Sequence, residues 1–230
     1  MTINGWDIST VGGRQWTVRR GYSQVSNKSE WTAGSATPVV LPSTLGFKTM
    51  QVVILIKALN KEAVQLGIST ILAKLLEPAD IVLDGMTRKF YGYLKGYSVN
   101  EATQRRSNPF HTLTLNMEGF EYSTQVSASG SSSITVNNPG TVEGPAVLTV
   151  VPTQAAGTIT ISGLGDDIKL KNVVSGTTYI VNGETGVIKA GNNLADMDIW
   201  TLPVIQPGSN TITLSSSFAT ATVAFKPRYM

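Results

Sequence analysis

The sequence predicts a mainly β protein with a single α-helix, folded as two domains. Short runs that alternate apolar and small polar residues recur along all 230 residues, one stretch alone carries a period of three to four, and a polar low-complexity segment separates the halves. The limits that follow are an N-terminal β-rich domain over 1–126, a linker over 127–140 and a C-terminal β-sandwich over 141–230.

In the first half, alternation predicts strands at Gln15–Arg20, Thr49–Ala58, Ala79–Leu83, Lys89–Leu94 and Phe110–Met117. The last places Leu113, Leu115 and Met117 on one face and Thr112, Thr114 and Asn116 on the other. Between Ala58 and Pro78 the period changes: Val64, Ile68, Ile71, Leu72 and Leu75 recur three and four apart, with Lys61, Gln65, Ser69 and Lys74 opposite. An amphipathic helix over 60–77 follows, N-capped by Asn60 and stopped by Pro78. Asp84-Gly85, between Ile81-Val-Leu83 and the aromatic run Phe90-Tyr-Gly-Tyr93, signals a hairpin.

The stretch Ser123–Ser133 is too poor in apolar groups to pack and reads as linker, and Asn137–Pro145 adds a turn-rich approach to the second half. Beyond it eight short strands are expected: Ala146–Val151, Thr158–Ser162, Ile168–Val174, Tyr179–Val181, Val187–Ala190, Ile199–Leu202, Thr211–Leu214 and Ala219–Phe225. Glycine and asparagine turns separate them. This pattern without a helix predicts a two-sheet, jelly-roll-like sandwich. The last two strands, approached through Pro207-Gly208, read as its closing hairpin.

Composition excludes several functions. Cysteine is absent, so there is neither a disulfide framework nor a thiolate metal site. No apolar run reaches the roughly 20 residues that span a bilayer, and Met1-Thr-Ile-Asn-Gly5 lacks a signal pattern, so folding in a cytoplasm and no membrane partner are expected. The net charge of +3 comes from the first half, where 13 Lys/Arg face 9 Asp/Glu. Its basic pairs, Arg19-Arg20, Arg88-Lys89 and Arg105-Arg106, are too separated for a phosphate track, so stable nucleic-acid binding is not expected.

Catalytic groups are scarce. The one histidine, His111, opens a strand and reads as a partly exposed residue on its polar face; without partners it makes neither a triad nor a metal site. No nucleophile elbow, phosphate loop or zinc-protease motif occurs. Two carboxylates suffice for glycoside hydrolysis, which brings Asp166, Asp167, Asp196 and Asp198 into view, but all sit in turn-rich contexts where acidic side chains bond their own backbone. Asp196-Met-Asp198 could open a calcium loop, but its spacing is short and no later glutamate supports it. No catalytic residue, metal or cofactor is therefore expected. The aromatics Tyr179, Trp200, Phe218, Phe225 and Tyr229 offer core or interface packing, with Tyr179 and Trp200 as sugar-stacking candidates if the sandwich is a carbohydrate-binding module recognising a cell-wall glycan. Trp6, Trp16 and Trp31 lie in a polar N-terminal stretch, as if a neighbouring subunit covered them.

Taken in order, the segments Ile3-Asn-Gly5-Trp-Asp-Ile8, the helix followed by the hairpin to Tyr91-Gly92-Tyr93, Asn138-Pro-Gly140-Thr-x-x-x-Pro145, Tyr179-Ile-Val-Asn-Gly-Glu-Thr-Gly186, Leu202-Pro-x-x-x-Pro-Gly-Ser-Asn210 and Phe225-Lys-Pro-Arg-Tyr229 form a pattern. Over nearly its full length the chain resembles the distal tail proteins of long-tailed, non-contractile phages of Gram-positive hosts. The resemblance implies a structural virion protein of the tail tip or baseplate, assembled in the host cytoplasm. Its N-terminal domain closes a homo-hexameric ring around a channel for DNA, and a galectin-like sandwich projects outward. The implied partners are the tail tube protein and the tail-associated tip protein, with tape-measure and receptor-binding proteins beyond them. Subunit-contact candidates are Trp6, Trp16, Arg19, Arg20, Trp31, Arg105 and Arg106.

Overall fold

In the computed structural model, which describes residues 1–31, 34, 36–37, 39–40, 44–102, 110–190 and 194–230, two hydrophobic cores form independently. Met1–Glu121 together with Met230 make one unit and Tyr122–Tyr229 the other. The protein is mainly β with one α-helix among the described residues, as the alternation predicts.

The first unit opens with β1 (Thr2–Ile3) and β2 (Trp6–Asp7), then a single 3-10 turn, Ile8–Val11, capped by Asp7, whose carboxylate accepts from the Ser9 N–H at 2.9 Å. Next come β3 (Gly13–Arg20), β4 (Val25–Ser26), β5 (Ser29–Glu30), β6 (Val39–Val40), β7 (Thr44–Leu45) and β8 (Lys48–Lys57). Helix α1 (Lys61–Ala73), β9 (Ala79–Val82), β10 (Lys89–Ala102) and β11 (Phe110–Tyr122) complete it. The main sheet runs β2-β1-β9-β10-β11-β8-β3. Along β8 the alternation buries Met50, Val52, Ile54 and Ile56, and the antiparallel register brings them beside Met117, Leu115, Leu113 and His111. Helix α1 adds Val64, Ile68 and Ile71 to this core.

Asn60 caps the helix as predicted, accepting from the Ala63 N–H at 2.8 Å. Its other end differs: the helix stops at Ala73, five residues short of Pro78, and a tight turn carries Leu75 into the core. The Asp84-Gly85 hairpin forms with Val82 opposite Lys89 and Gly85 at φ +74°. His111 corrects an expectation. It is 3% exposed, because it shares the parity of Leu113, Leu115 and Met117 and therefore points with them into the core.

The second unit contains β12 (Val126–Gly130), β13 (Ser133–Asn138), β14 (Gly144–Pro152), β15 (Ala156–Ser162), β16 (Ile168–Val173), β17 (Tyr179–Asn182), β18 (Ile188–Ala190), β19 (Met197–Asp198), β20 (Val204–Ile205), β21 (Gly208–Leu214) and β22 (Ala219–Phe225). One sheet runs β12-β22-β14-β17-β18 with β20 on β14; the other runs β13-β21-β15-β16-β19. Their buried side chains share one core. The stretch read as linker is thus two paired strands. Val126 and Ala128 pack against the core, and Ile134 and Val136 lie within it, so two apolar residues per strand at period two suffice. The expected closing hairpin is also replaced: β21 pairs with β13 and β15, whereas β22 pairs with β12 and β14, so 215–218 crosses between sheets. The predicted strand Ile199–Leu202 is absent, and β19 and β20 flank that segment.

Candidate interaction sites

Two surfaces stand out, one in each unit. In the first, β3 and β8 pair from Gly13↔Ile56 to Arg20↔Met50 with one irregularity: Gln15 faces Ile54 and Thr17 faces Val53, leaving Trp16 as an extra residue. This β-bulge turns the indole out of the ladder, and Trp16 is 64% exposed. Past Arg20 the same two strands continue as a ribbon. Gly21 donates to Thr49 O, Gly46 to Gln24 O, then Val25↔Leu45, Ser26↔Thr44, Ser29↔Val40 and Glu30↔Val39 pair in turn. A two-stranded ribbon has no core of its own, and this one carries Tyr22 at 83% and Trp31 at 67% exposure, with Val25, Leu45 and Phe47 also exposed.

The ribbon's base is anchored by charge. Lys48, buried, donates through Nζ to Glu121 at 3.0 Å and to the Met230 carbonyl at 2.8 Å, while Arg20 reaches the other Glu121 oxygen at 3.3 Å. Nearby, the Phe47 ring meets Tyr93 edge-on with centroids 6.0 Å apart. Tyr93 Oη donates to Glu118 at 2.8 Å and Lys95 pairs with the same carboxylate. The hydrogen bond from Lys95 and then that from Tyr93 hold the Glu118 carboxyl below the usual carboxylate range, and the bond to Glu118 pushes the Tyr93 phenol up.

The predicted contact residues are accordingly dispersed. Trp16 and Trp31 are exposed on the bulge and the ribbon, and Arg19 is exposed on β3. Arg20 belongs to the anchoring ion cluster. Trp6 packs against its own unit's core, with the Lys74 ammonium 5.9 Å from its ring centroid. Arg105 and Arg106 lie outside the described residues. Tyr22 and Phe47 were not singled out from sequence; their signal was an aromatic in a polar run flanking the paired segments.

In the second unit an open cleft of about 590 Å³ is lined by Gly165, Asp166, Asp167, Lys169, Asp198 and Trp200. The β15–β16 turn supplies one wall, with Gly163 and Gly165 at φ +100° and +96°, a conformation that favours glycine. β16 and β19 supply the floor, where Lys169 stands opposite Asp198 in the antiparallel register. Thr201 ties the walls together: its Oγ1 donates to Asp166 Oδ2 at 3.1 Å and accepts from the Asp166 N–H at 3.4 Å. Asp198 also meets Lys171 at 3.6 Å. Trp200 is 84% exposed, so core packing does not account for it. Tyr179, its expected partner in sugar stacking, lies elsewhere: the ring is buried and its hydroxyl accepts from the Val174 N–H at 3.1 Å. Asp196 accepts from Asn172 Nδ2 at 2.8 Å in a local contact. Among the described residues no group of three or more His, Cys, Asp or Glu is placed to hold a metal ion.

Two antiparallel units of this kind in one chain define a two-unit, mainly β fold class that has been seen in a solved structure. The crystal structure of the Dit protein (gp 19.1) of phage SPP1, described as a paradigm of the hub adsorption apparatus in phages that infect Gram-positive bacteria, matches with a TM-score of 0.77. Identity is 15%, and the match covers 99% of this chain and 98% of that one. The baseplate of phage P2 in its activated conformation with calcium matches at a TM-score of 0.49 and 11% identity over 96% of this chain and 92% of that chain. At the level of sequence, no family model and no curated protein matches. The chain has the hub-protein fold across both units, the fold that its sequence resemblance implies.

Proposed function

We propose that this protein is a structural component of a phage tail tip, a hub whose first unit closes a homo-hexameric ring between the tail tube and the tip, with a central channel through which DNA leaves. The observation that carries self-association is the ribbon formed by the β4–β7 and β5–β6 pairs. A coreless two-stranded arm bearing Tyr22, Trp31 and Phe47 in water gains burial by lying on a neighbouring copy. When the arm of each copy lies head-to-tail on the next, the contact is heterologous, and heterologous contacts close into rings when the rotation permits. The fold shared with the SPP1 hub protein over both units supports the tail-tip reading. Its partners in that role are the tail tube protein, the tail-associated tip protein and, further out, tape-measure and receptor-binding proteins. The role is non-catalytic and belongs to the virion, after assembly in the host cytoplasm.

Light scattering of the full chain tests this. A hexamer, or an oligomer that grows with concentration, is expected at roughly tens of micromolar, the weak end of interface affinities. Tyr22→Ser with Trp31→Ser shifts it toward monomer, and at dilutions where the wild type is itself monomeric the two share a thermal midpoint, since both side chains are solvated in the isolated subunit. A wild-type chain that stays monomeric over that range contradicts ring closure by the arm.

A further inference from the structure

We propose that the Trp200 cleft of the second unit is a binding site for a neutral or amino-bearing saccharide. A solitary exposed tryptophan needs no explanation. Here, however, the indole stands in a cleft whose volume falls within the range of small-molecule sites, roughly 300–1,000 Å³, among polar groups that are only partly engaged. Thr201 takes one oxygen of Asp166, and Lys171 takes one oxygen of Asp198. Among the described residues no partner is recorded for the Asp167 carboxylate or the Lys169 ammonium, and the Trp200 face is open. The site therefore offers one aromatic plane, several hydrogen-bond acceptors and a cationic donor.

The chemistry that matches all three is a sugar ring. Its axial C–H face stacks on an indole, and its hydroxyls donate to carboxylates and accept from an ammonium in charge-assisted hydrogen bonds. Other classes fit less well. An apolar ligand would strip water from three carboxylates without replacing their hydrogen bonds. A nucleotide would stack equally well, but its phosphates would meet Asp166, Asp167 and Asp198 against a single lining lysine, a repulsive balance. The same charge excludes polyanionic wall polymers and favours an amino group on the sugar. The hydrogen bonds between Asp166 and Thr201 fix the two walls before any ligand arrives, which lowers the ordering cost of binding. This inference is independent of ring formation, since every lining residue lies in one unit.

Saturation-transfer NMR on the full chain tests it, with maltotriose, N-acetylchitotriose, glucosamine and glucose 1-phosphate as probes at millimolar concentration and tryptophan fluorescence for titration. At least one neutral sugar should take up saturation through its ring protons, and glucosamine should bind more tightly than glucose 1-phosphate. Trp200→Ala should weaken binding about tenfold, in keeping with the loss of one aromatic contact, and Trp200→Tyr should restore part of it. Asp167→Asn should cost glucosamine more than maltotriose. Should Trp200→Ala perturb folding, the Asp167→Asn comparison carries the test alone. Absence of transfer to every probe, unchanged binding in folded Trp200→Ala, equal losses for both sugars in Asp167→Asn, or preference for the phosphorylated sugar would each overturn the proposal.

Discussion

At Gly119 the chain has no room for a side chain. A Cβ there would lie 2.1 Å from the Tyr91 carbonyl oxygen and 2.6 Å from the Gly92 Cα, both backbone atoms that no rotamer change can move. Gly119→Ala is therefore expected to cost about 1–3 kcal/mol through forced separation of β10 and β11, whereas Gly96→Ala, with nothing within 4 Å, should stay within roughly 0.5 kcal/mol of wild type. Urea unfolding of the pair decides it, and equal midpoints would dismiss the close approach. The partly buried Glu118 carboxylate makes a second residue-scale prediction. Because its carboxyl is held below its ordinary value by Lys95 and Tyr93, its contribution is present above the unfolded carboxylate range, about 4.3, and is lost as pH falls through the folded value. Glu118→Gln should accordingly lower the thermal midpoint slightly at pH 7, and the gap should close toward pH 3; a gap independent of pH would assign the effect to packing. Solvent screening keeps it small.

Helix α1 shows what a local signal can and cannot specify. Its start depends on one contact, the Asn60 side chain on the Ala63 N–H, so Asn60→Ala should cost about 1 kcal/mol in equilibrium unfolding, and Asn60→Asp much less. That cap and the apolar stripe below it were legible in the sequence because both are local. The end of the helix was not, because Leu75 is drawn into the core from a turn rather than from a continued helix. Strands followed the same division. Those with four or more alternating residues, such as β8, β11, β14 and β22, could be read from period alone. The strands β12 and β13, poor in large apolar residues, become strands by pairing along β22 and β21, partners at least 70 residues away in sequence. The exposed ribbon and the Trp16 bulge were visible only as misplaced aromatics, since the pairing of β3 with β8, β4 with β7 and β5 with β6 sets their direction. In the cleft, Trp200 and the aspartates were legible as separate residues; their convergence required the Lys169↔Asp198 register and the Thr201 tie, while the core packing open to Tyr179 was legible from its alternation with Val181.

At the scale of the whole molecule, the place where the chain divides decides which piece can fold alone. A chain starting at Tyr122 keeps β12 and β13, and with them the full pairing from Val126↔Phe225 to Gly130↔Ala221 and from Ser133↔Thr213 to Asn138↔Gly208. A chain starting at Thr141 loses both strands, which uncovers an edge of each sheet and removes the buried side chains of Ile134 and Val136. Truncating a buried aliphatic residue costs about 2–5 kcal/mol, so two such losses, before any loss of strand pairing, approach the roughly 5–15 kcal/mol that hold a domain together. The chain over 122–229 should thus unfold in one cooperative transition, with coincident near- and far-ultraviolet signals. The chain over 141–230 should lose its near-ultraviolet signal, bind hydrophobic dyes and pair through its exposed edges into aggregates. Comparable cooperativity in the two would mean that β12 and β13 are appended to a sandwich that is complete without them, and that the second unit begins where its long alternating strands begin.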